Sequence, residues 1–286
     1  MKTHVLVTGS NGQLGKAISA FSDTKNSESI NFTFTTRTSL DISNQEQLET
    51  YFQSNNFQYC INCAAYTAVD KAEEEKEQAF LINATAVKNL AEACDKYGVT
   101  LIHISTDFVF DGFKREPYLE TDKPNPINVY GTSKLQGERY IQQTLNNYFI
   151  IRTSWLYSEF GNNFVKTMLR LGAEKDEISV VNDQIGSPTY AKDLAEVVLE
   201  IIKSKNKQFG LYHYCNQGIL SWFEFAKAIF SFTKNEIEVK PIPTSDYPTP
   251  AKRPQYSVLS SSKMFHNLKL KEKSVLSSLE ICLQNT

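Results

Sequence analysis

No stretch of this chain is long and apolar enough for a membrane span. The opening run in MKTHVLVTGSNG is broken after a few residues by threonine and glycine, against the roughly twenty that a span requires. The same run is too short for a secretory leader, so a cytoplasmic protein with no membrane partner is expected. Excess charge of one sign is missing too: 30 Lys and Arg stand against 32 Asp and Glu, spread along the sequence. That leaves no basic stripe to neutralise a phosphate backbone, and no nucleic-acid partner is expected. Histidine is scarce, and its four copies make no metal spacing. The five cysteines are an odd number for a disulfide framework. Cys60 and Cys63 lie in QYCINCAAY, which reads as strand, so their side chains point to opposite faces, whereas a redox CxxC needs a helix start. Reduced, buried thiols are the expectation. What is present is an ordinary apolar fraction of 41% in 286 residues, enough for one large domain or two modest ones.

Two periodicities alternate along the first half. THVLVTG is a short apolar run, GQLGKAISAF has helical spacing, and INFTFTTR returns to strand. SNQEQLETYFQ follows as a helix for which Ser43 is a candidate N-cap. The strand FQYCINCAAY comes next, then one long helix near FLINATAVKNLAEACDKYG, then the strand VTLIHIST. A helix from about Tyr130 through GTSKLQGERYIQQTL leads to the strand YFIIRTSWLY. Strands separated by helices predict an α/β fold with a parallel, doubly wound sheet of the Rossmann type.

Where the first strand meets the first helix the sequence reads TGSNGQLG, placing Gly9, Gly12 and Gly15 in a GxxGxxG pattern. Missing side chains there let backbone amides at a helix start approach a pyrophosphate, and the flanking strand and helix supply the context a dinucleotide site requires. After the second strand the first charged residue is Arg37, a planar fork suited to a 2′-phosphate. NADPH is therefore expected, with NADH possible; the alternative is a solvated loop arginine. Asp41 could accept from an adenine amino group or serve as a local turn residue.

Tyr130 and Lys134 lie four apart on the helix after a strand ending ISTD, at the carboxyl edge where α/β sheets bind ligands. In that setting the ammonium is expected to lower the phenol's pKa and to bond the nicotinamide ribose. A hydride delivered to a ketone leaves charge on oxygen. A phenol that gives up its proton there, with Thr106 or Ser105 fixing the oxygen, is a general acid and partial oxyanion hole. Carbonyl reduction is the chemistry this combination predicts.

Together these residues resemble the short-chain dehydrogenase/reductase superfamily, extended type. Within it, TGSNGQLG, NCAAYTAVDKAE, INATAVKNLA, HISTDFVFDG, PINVYGTSKLQGE, RTSWLYSEFGNNFVKTMLRL, NDQIGSPTY, SWFEFA and YPTPAKRPQYSVL are similar to the dTDP-4-dehydrorhamnose reductases over nearly the whole chain. The resemblance implies NAD(P)H-dependent reduction of the 4-keto group of dTDP-4-dehydro-β-L-rhamnose to dTDP-L-rhamnose, a polysaccharide precursor. It also implies an NAD(P)-binding domain over residues 1–155 and a smaller, mainly substrate-binding domain over 156–286, some of whose segments return to the first. Tyr130 would be the proton donor, Lys134 its partner and Thr106 the hydroxyl steadying the carbonyl. Asn11, Gln13, Leu14, Ile42, Ala64, Ala65 and Tyr66 would join the glycine loop, Arg37 and Asp41 around the cofactor. Thr67, Val69, Asp107, Phe108 and Trp155 would meet the sugar, Trp155 as a stacking platform. Phe108 departs from the pattern, since that position is often tyrosine.

Beyond residue 155 the residues themselves say less. Asn163 and Arg170 could reach a ligand from the start or polar side of the helix NNFVKTMLRL. Pro188 suits an early helical position, the family resemblance implies that Gln184 and Thr189 lie near the cleft, and Arg253, in the proline-rich YPTPAKRPQYSVL, could pair with a diphosphate. SWFEFAKAIFSF reads as a packed helix. Some relatives hold a divalent cation between subunits through glutamates near the first helix. Here that helix carries Lys16 and Ala17, so no metal and a monomer or weak homodimer are expected. Two other functions fit the same frame. One is a nonenzymatic subunit resembling the regulator of methionine adenosyltransferase, which need not keep the tyrosine. The other is an epimerase or dehydratase that recycles its cofactor, against which stands the lack of a Glu after Asp107.

Overall fold

The computed structural model describes residues 2–22 and 29–286. Its centre is a sheet whose strands are β1 (Thr3–Thr8), β2 (Ile30–Phe34), β3 (Tyr59–Asn62), β4 (Thr100–Thr106) and β5 (Tyr148–Thr153), joined by a sixth from much later in the chain. Helices α1 (Gln13–Ser22), α2 (Gln45–Gln53), α3 (Lys76–Phe80), α4 (Ala86–Lys96) and α5 (Val129–Thr144) lie between them. Farther on come α6 (Phe164–Glu174), α7 (Ala191–Lys203), α8 (Trp222–Thr233), α9 (Ser262–Leu268) and α10 (Val275–Gln284). Short strands fill the remainder. β6 (Leu156–Tyr157) pairs with β9 (Thr189–Tyr190), β7 (Glu177–Val181) with β12 (Glu238–Ile242), and β8 (Ile185–Gly186) with β11 (Leu220–Ser221), while β10 (Gly210–His213) adds to the central sheet beside β5.

The sheet order is β10-β5-β4-β3-β1-β2, all parallel. Its inner strands are buried on both faces, and the period of two divides them. Val5 and Val7 pack with Ile61, Ile102 and Ile151 against α1 and α7, while Leu6, Cys60, Leu101 and Ile150 face α2, α4 and α5. The chain runs to β2 on one side of β1 and returns to β3 on the other, so a crevice opens above the β1 and β3 carboxyl ends. A further apolar cluster joins α6, α8 and α10. A smaller one seats the proline-rich segment, through Tyr256, Val258 and Leu259, on Val109 and Phe110.

Three local expectations are corrected. Asn44, not Ser43, caps α2, its Oδ1 accepting from Gln47 N at 3.0 Å. The helix expected as one piece is α3 and α4 joined by a π turn over Leu81–Thr85. Pro188 lies before α7, which begins at Ala191.

Candidate active site

The crevice is a cleft of about 1480 Å³ at the carboxyl edge of the sheet, extending toward α6 and β7. Its floor is the turn between β1 and α1. Gly9 has φ +67°, and a Cβ there would stand 2.5 Å from Ala64 N, so a glycine is required where the turn presses against the β3 exit. Gly15 does not line the cleft; it lets α1 approach Ser10, whose Cα would be 2.5 Å from an added Cβ. Asn11, Gly12, Gln13 and Leu14 do line it. The Gln13 side chain is spent on protein partners: its Oε1 accepts from Ser158 Oγ at 2.9 Å and Asn163 Nδ2 at 3.0 Å, and its Nε2 donates to Leu156 O at 3.3 Å.

Arg37, Asp41 and Ile42 stand where β2 delivers the chain to the cleft wall. Asp41 is a turn residue: its Oδ1 accepts from Ser43 N at 2.9 Å and Ser43 Oγ at 2.6 Å, and its Oδ2 lies 3.6 Å from Arg37 Nε. Those Ser43 bonds, aided by Arg37, hold its carboxyl below the usual range. The Arg37 side chain is 70% exposed, free to swing toward an incoming phosphate. Ala64, Ala65, Thr67 and Val69 line the cleft. Tyr66 does not, because its hydroxyl donates to Glu75 Oε2 at 2.7 Å and its backbone is clamped by Asn83. The π turn gives Asn83 that reach, and its Nδ2 also donates to Ser133 Oγ at 3.0 Å.

Tyr130 enters from the first turn of α5, which Asn128 caps through Gly131 N at 2.7 Å. Gly131 lies so close to Phe108 O, 2.1 Å from an added Cβ, that only glycine lets this turn seat on the loop after β4. Tyr130 meets Phe108 edge to face, with ring centroids 5.6 Å apart. Burial pushes its phenol up to about 12, against the pull of Thr106, with Asp107 adding to the rise. The expectation that Lys134 lowers the phenol is therefore not met. Lys134, 2% exposed, donates from Nζ to Ile104 O at 2.6 Å and faces His103 Nε2 at 3.4 Å, and burial lowers it to about 8. Asp107 is buried beside Thr106, whose Oγ1 donates to its Oδ1 at 3.1 Å; burial pushes its carboxyl up to about 6.

On the far side the outcome differs by residue. Trp155 lines the cleft at φ +48°, but one ring face is covered by Trp222, with centroids 3.5 Å apart and planes 8° from parallel. It is thus half of an indole pair and not a free platform. Trp222, on the helix expected to be merely packed, is a cleft residue that sequence reasoning missed; a tryptophan in the first turn after a capping Ser221 was the available signal. Arg253 lines the cleft, yet its fork is already bidentate to Asp70, Nη1–Oδ1 and Nη2–Oδ2 both 2.6 Å. Asp70 was missed as well. Asn163 and Gln184 line the cleft, whereas Thr189 is buried beneath it against Thr153 and Arg170 pairs with Glu174 on the surface. Among the described residues no cluster could hold a metal and no helix is long and apolar enough to cross a membrane.

A glycine turn at a switch point, with a half-buried tyrosine and a buried lysine beside a threonine at its rim, places the chain in the short-chain class of dinucleotide-dependent oxidoreductases. Within that class the comparisons are specific. The family model described as the RmlD substrate binding domain matches residues 2–286. A dTDP-4-dehydrorhamnose reductase from Aggregatibacter actinomycetemcomitans is 41% identical over 271 residues, 91% of each chain. A spore coat polysaccharide biosynthesis protein of Bacillus subtilis is 42% identical over 258 residues, 90% of this chain and 89% of that one. Among solved structures, the Bacillus anthracis dTDP-4-dehydrorhamnose reductase in complex with NADP superposes with a TM-score of 0.95 at 44% identity, covering all of both chains. A UDP-glucose 4-epimerase from Thermus thermophilus, 20% identical at a TM-score of 0.84, shares the fold alone. The chain belongs to the dTDP-4-dehydrorhamnose reductase family.

Proposed function

We propose that this protein uses NADPH to reduce the 4-keto group of dTDP-4-dehydro-β-L-rhamnose, giving dTDP-L-rhamnose. The observation that carries the reading is the convergence of a half-buried Tyr130 with the buried Thr106 and Lys134 at the rim of a cleft that also contains the glycine turn. The residues fit a dinucleotide: the glycine turn brings backbone amides at the start of α1 to the cleft floor, and the exposed Arg37 on the cleft wall suits a 2′-phosphate. When bound, the reduced nicotinamide supplies the hydride. Tyr130, whose pKa of about 12 keeps it protonated at neutral pH, gives its proton to the sugar oxygen as charge develops there. The Thr106 hydroxyl holds that oxygen, and Lys134 supports the ribose and the phenol. Asp107 and the Trp155–Trp222 pair hold and shape the sugar, and the Asp70–Arg253 clamp keeps the proline-rich segment over it. The division near residue 155, a cytoplasmic setting, a monomer or weak homodimer and no metal requirement belong to the same proposal.

The test is an absorbance assay of NADPH and NADH with the enzymatically made 4-keto-6-deoxy sugar nucleotide. One cofactor should be oxidised per sugar reduced. Tyr130→Phe should lower kcat by roughly 10²- to 10⁴-fold while leaving cofactor binding intact. Cofactor binding with no turnover by the wild-type protein would overturn the reading in favour of a regulatory module.

A further inference from the structure

Lys134 sits at one end of a buried polar chain that the reaction outlined above does not use. Thr8 Oγ1 donates to Asn62 Oδ1 at 2.7 Å, and Ala64 N donates to the same oxygen at 3.2 Å. Asn62 Nδ2 meets His103 Nδ1 at 3.0 Å, and His103 Nε2 meets Lys134 Nζ at 3.4 Å. Thr8, Asn62, His103 and Lys134 are each at most 2% exposed.

The backbone amide of Ala64 decides the direction of this chain, because an N–H can only donate. Flipping the Asn62 amide would set its NH₂ against Ala64 N–H, so Oδ1 stays there and Nδ2 donates to His103. His103 Nδ1 must then be the acceptor. Burial, with the Lys134 charge second, pushes the imidazole well below its usual range, so it is neutral and its one proton lies on Nε2. That N–H points at Nζ. An ammonium has donors only and cannot receive it, whereas a neutral amine accepts it and still donates to Ile104 O.

We propose that Asn62 and His103 are positioning residues for Lys134, Asn62 fixing the Nε2–H tautomer of His103 and that N–H favouring the amine form of Lys134 over the ammonium. The tautomer stands on the geometry alone; only its kinetic consequence rests on the reductase reading. Of the other titratable groups near Lys134, Cys63 from the β3 exit and Tyr130 on its own helix are kept protonated and uncharged by burial, and the bonds of Nζ go to Ile104 O and His103 instead. Glu138, also on its helix, has its carboxylate taken by Arg152 of β5 and Ser105 of β4 and favours the ammonium. Lys134 therefore loses its proton at lower pH than a lysine without the imidazole, and it sets the alkaline limb of the rate.

Asn62→Asp tests the assignment, since Ala64 N–H and Thr8 can still donate to one carboxylate oxygen while the other now accepts from His103. The imidazole proton should move to Nδ1, turning a lone pair toward Nζ. In full-length protein labelled with ¹⁵N-histidine, four side chains contribute and His103 is assigned by its loss in His103→Gln. Wild-type His103 should be neutral with the proton on Nε2 from about pH 6 to 9, and on Nδ1 in Asn62→Asp. An Nδ1–H tautomer or an imidazolium in the wild-type protein overturns the proposal without any variant and without turnover. In carbonyl reduction, the alkaline limb should rise by about one pH unit or more in Asn62→Asp. It should rise clearly less when the same change is made in a His103→Leu background. An equal rise in both would assign the effect to the added carboxylate's field and overturn the imidazole's role.

Discussion

Asp107 shows how far a residue's surroundings can reverse its ordinary chemistry. Its carboxyl, pushed up to about 6 by burial, binds a proton more tightly in the folded protein than in the unfolded chain. The associated stability is complete below about pH 4 and is lost as the pH rises through 6, where the folded state must hold a buried charge. The difference is on the order of 3 kcal/mol. Asp107→Asn should therefore unfold at higher urea than the wild-type protein at pH 7.5, with the gap closing toward pH 4. Parallel curves for the two proteins would refute the assignment. The variant should also reduce the sugar more slowly. At this scale the sequence disclosed identities: Tyr130, Lys134 and Thr106 are legible because four residues make one helical turn and a strand end faces a ligand. It did not disclose environments. Whether Lys134 or burial governs the phenol depends on what surrounds the ring, and the Lys134 nitrogen is turned to Ile104 O and His103 instead.

Elements were legible in kind and less so in their joints. The short apolar runs between helical stretches placed all five N-terminal strands, because the inner four are buried on both faces and the edge strand β2 still packs Ile30, Phe32 and Phe34 on the core. The π turn at Leu81–Thr85 and the cap at Asn44 each turn on one residue's side-chain bonds, which a 3.6-residue period cannot register. The joint between β1 and α1 gives two predictions. Gly9→Ala forces a side chain into a positive φ and against Ala64 N, and should cost about 1–3 kcal/mol and most of the cofactor affinity, measured by urea unfolding and by NADPH fluorescence titration. Gln13→Ala removes three bonds that tie this turn to residues 156–163. It should raise the KM for the sugar nucleotide more than that for NADPH, because what it releases is the N-terminal cap of α6.

The whole molecule is stitched by polar contacts between distant segments. Arg152 of β5 bonds Glu138 of α5 through Nε at 2.9 Å and Nη2 at 2.6 Å, both side chains at most 2% exposed, while Nη1 lies 3.5 Å from His213 of β10. Breaking such a pair leaves one buried charge alone. Arg152→Met should cost about 3–5 kcal/mol, and adding Glu138→Gln should recover a large part of that, as chemical denaturation would register. Equal losses in the single and double variants would show that packing, and not the pair, holds this region. Binding should report on the same whole: NADPH at a hundredfold excess over its Kd should add about 2.7 kcal/mol of stability, visible as a rise in Tm. What the sequence determined by itself was local, namely the order of strands and helices, the glycine turn, and the phenol and ammonium on one helical face, because each follows from spacing along the chain. The partners of Arg253, Trp155 and Lys134 were decided only by the tertiary structure. Asp70 lies 183 residues from Arg253, and no periodicity connects them until the sheet has brought its carboxyl edge and the proline-rich segment together.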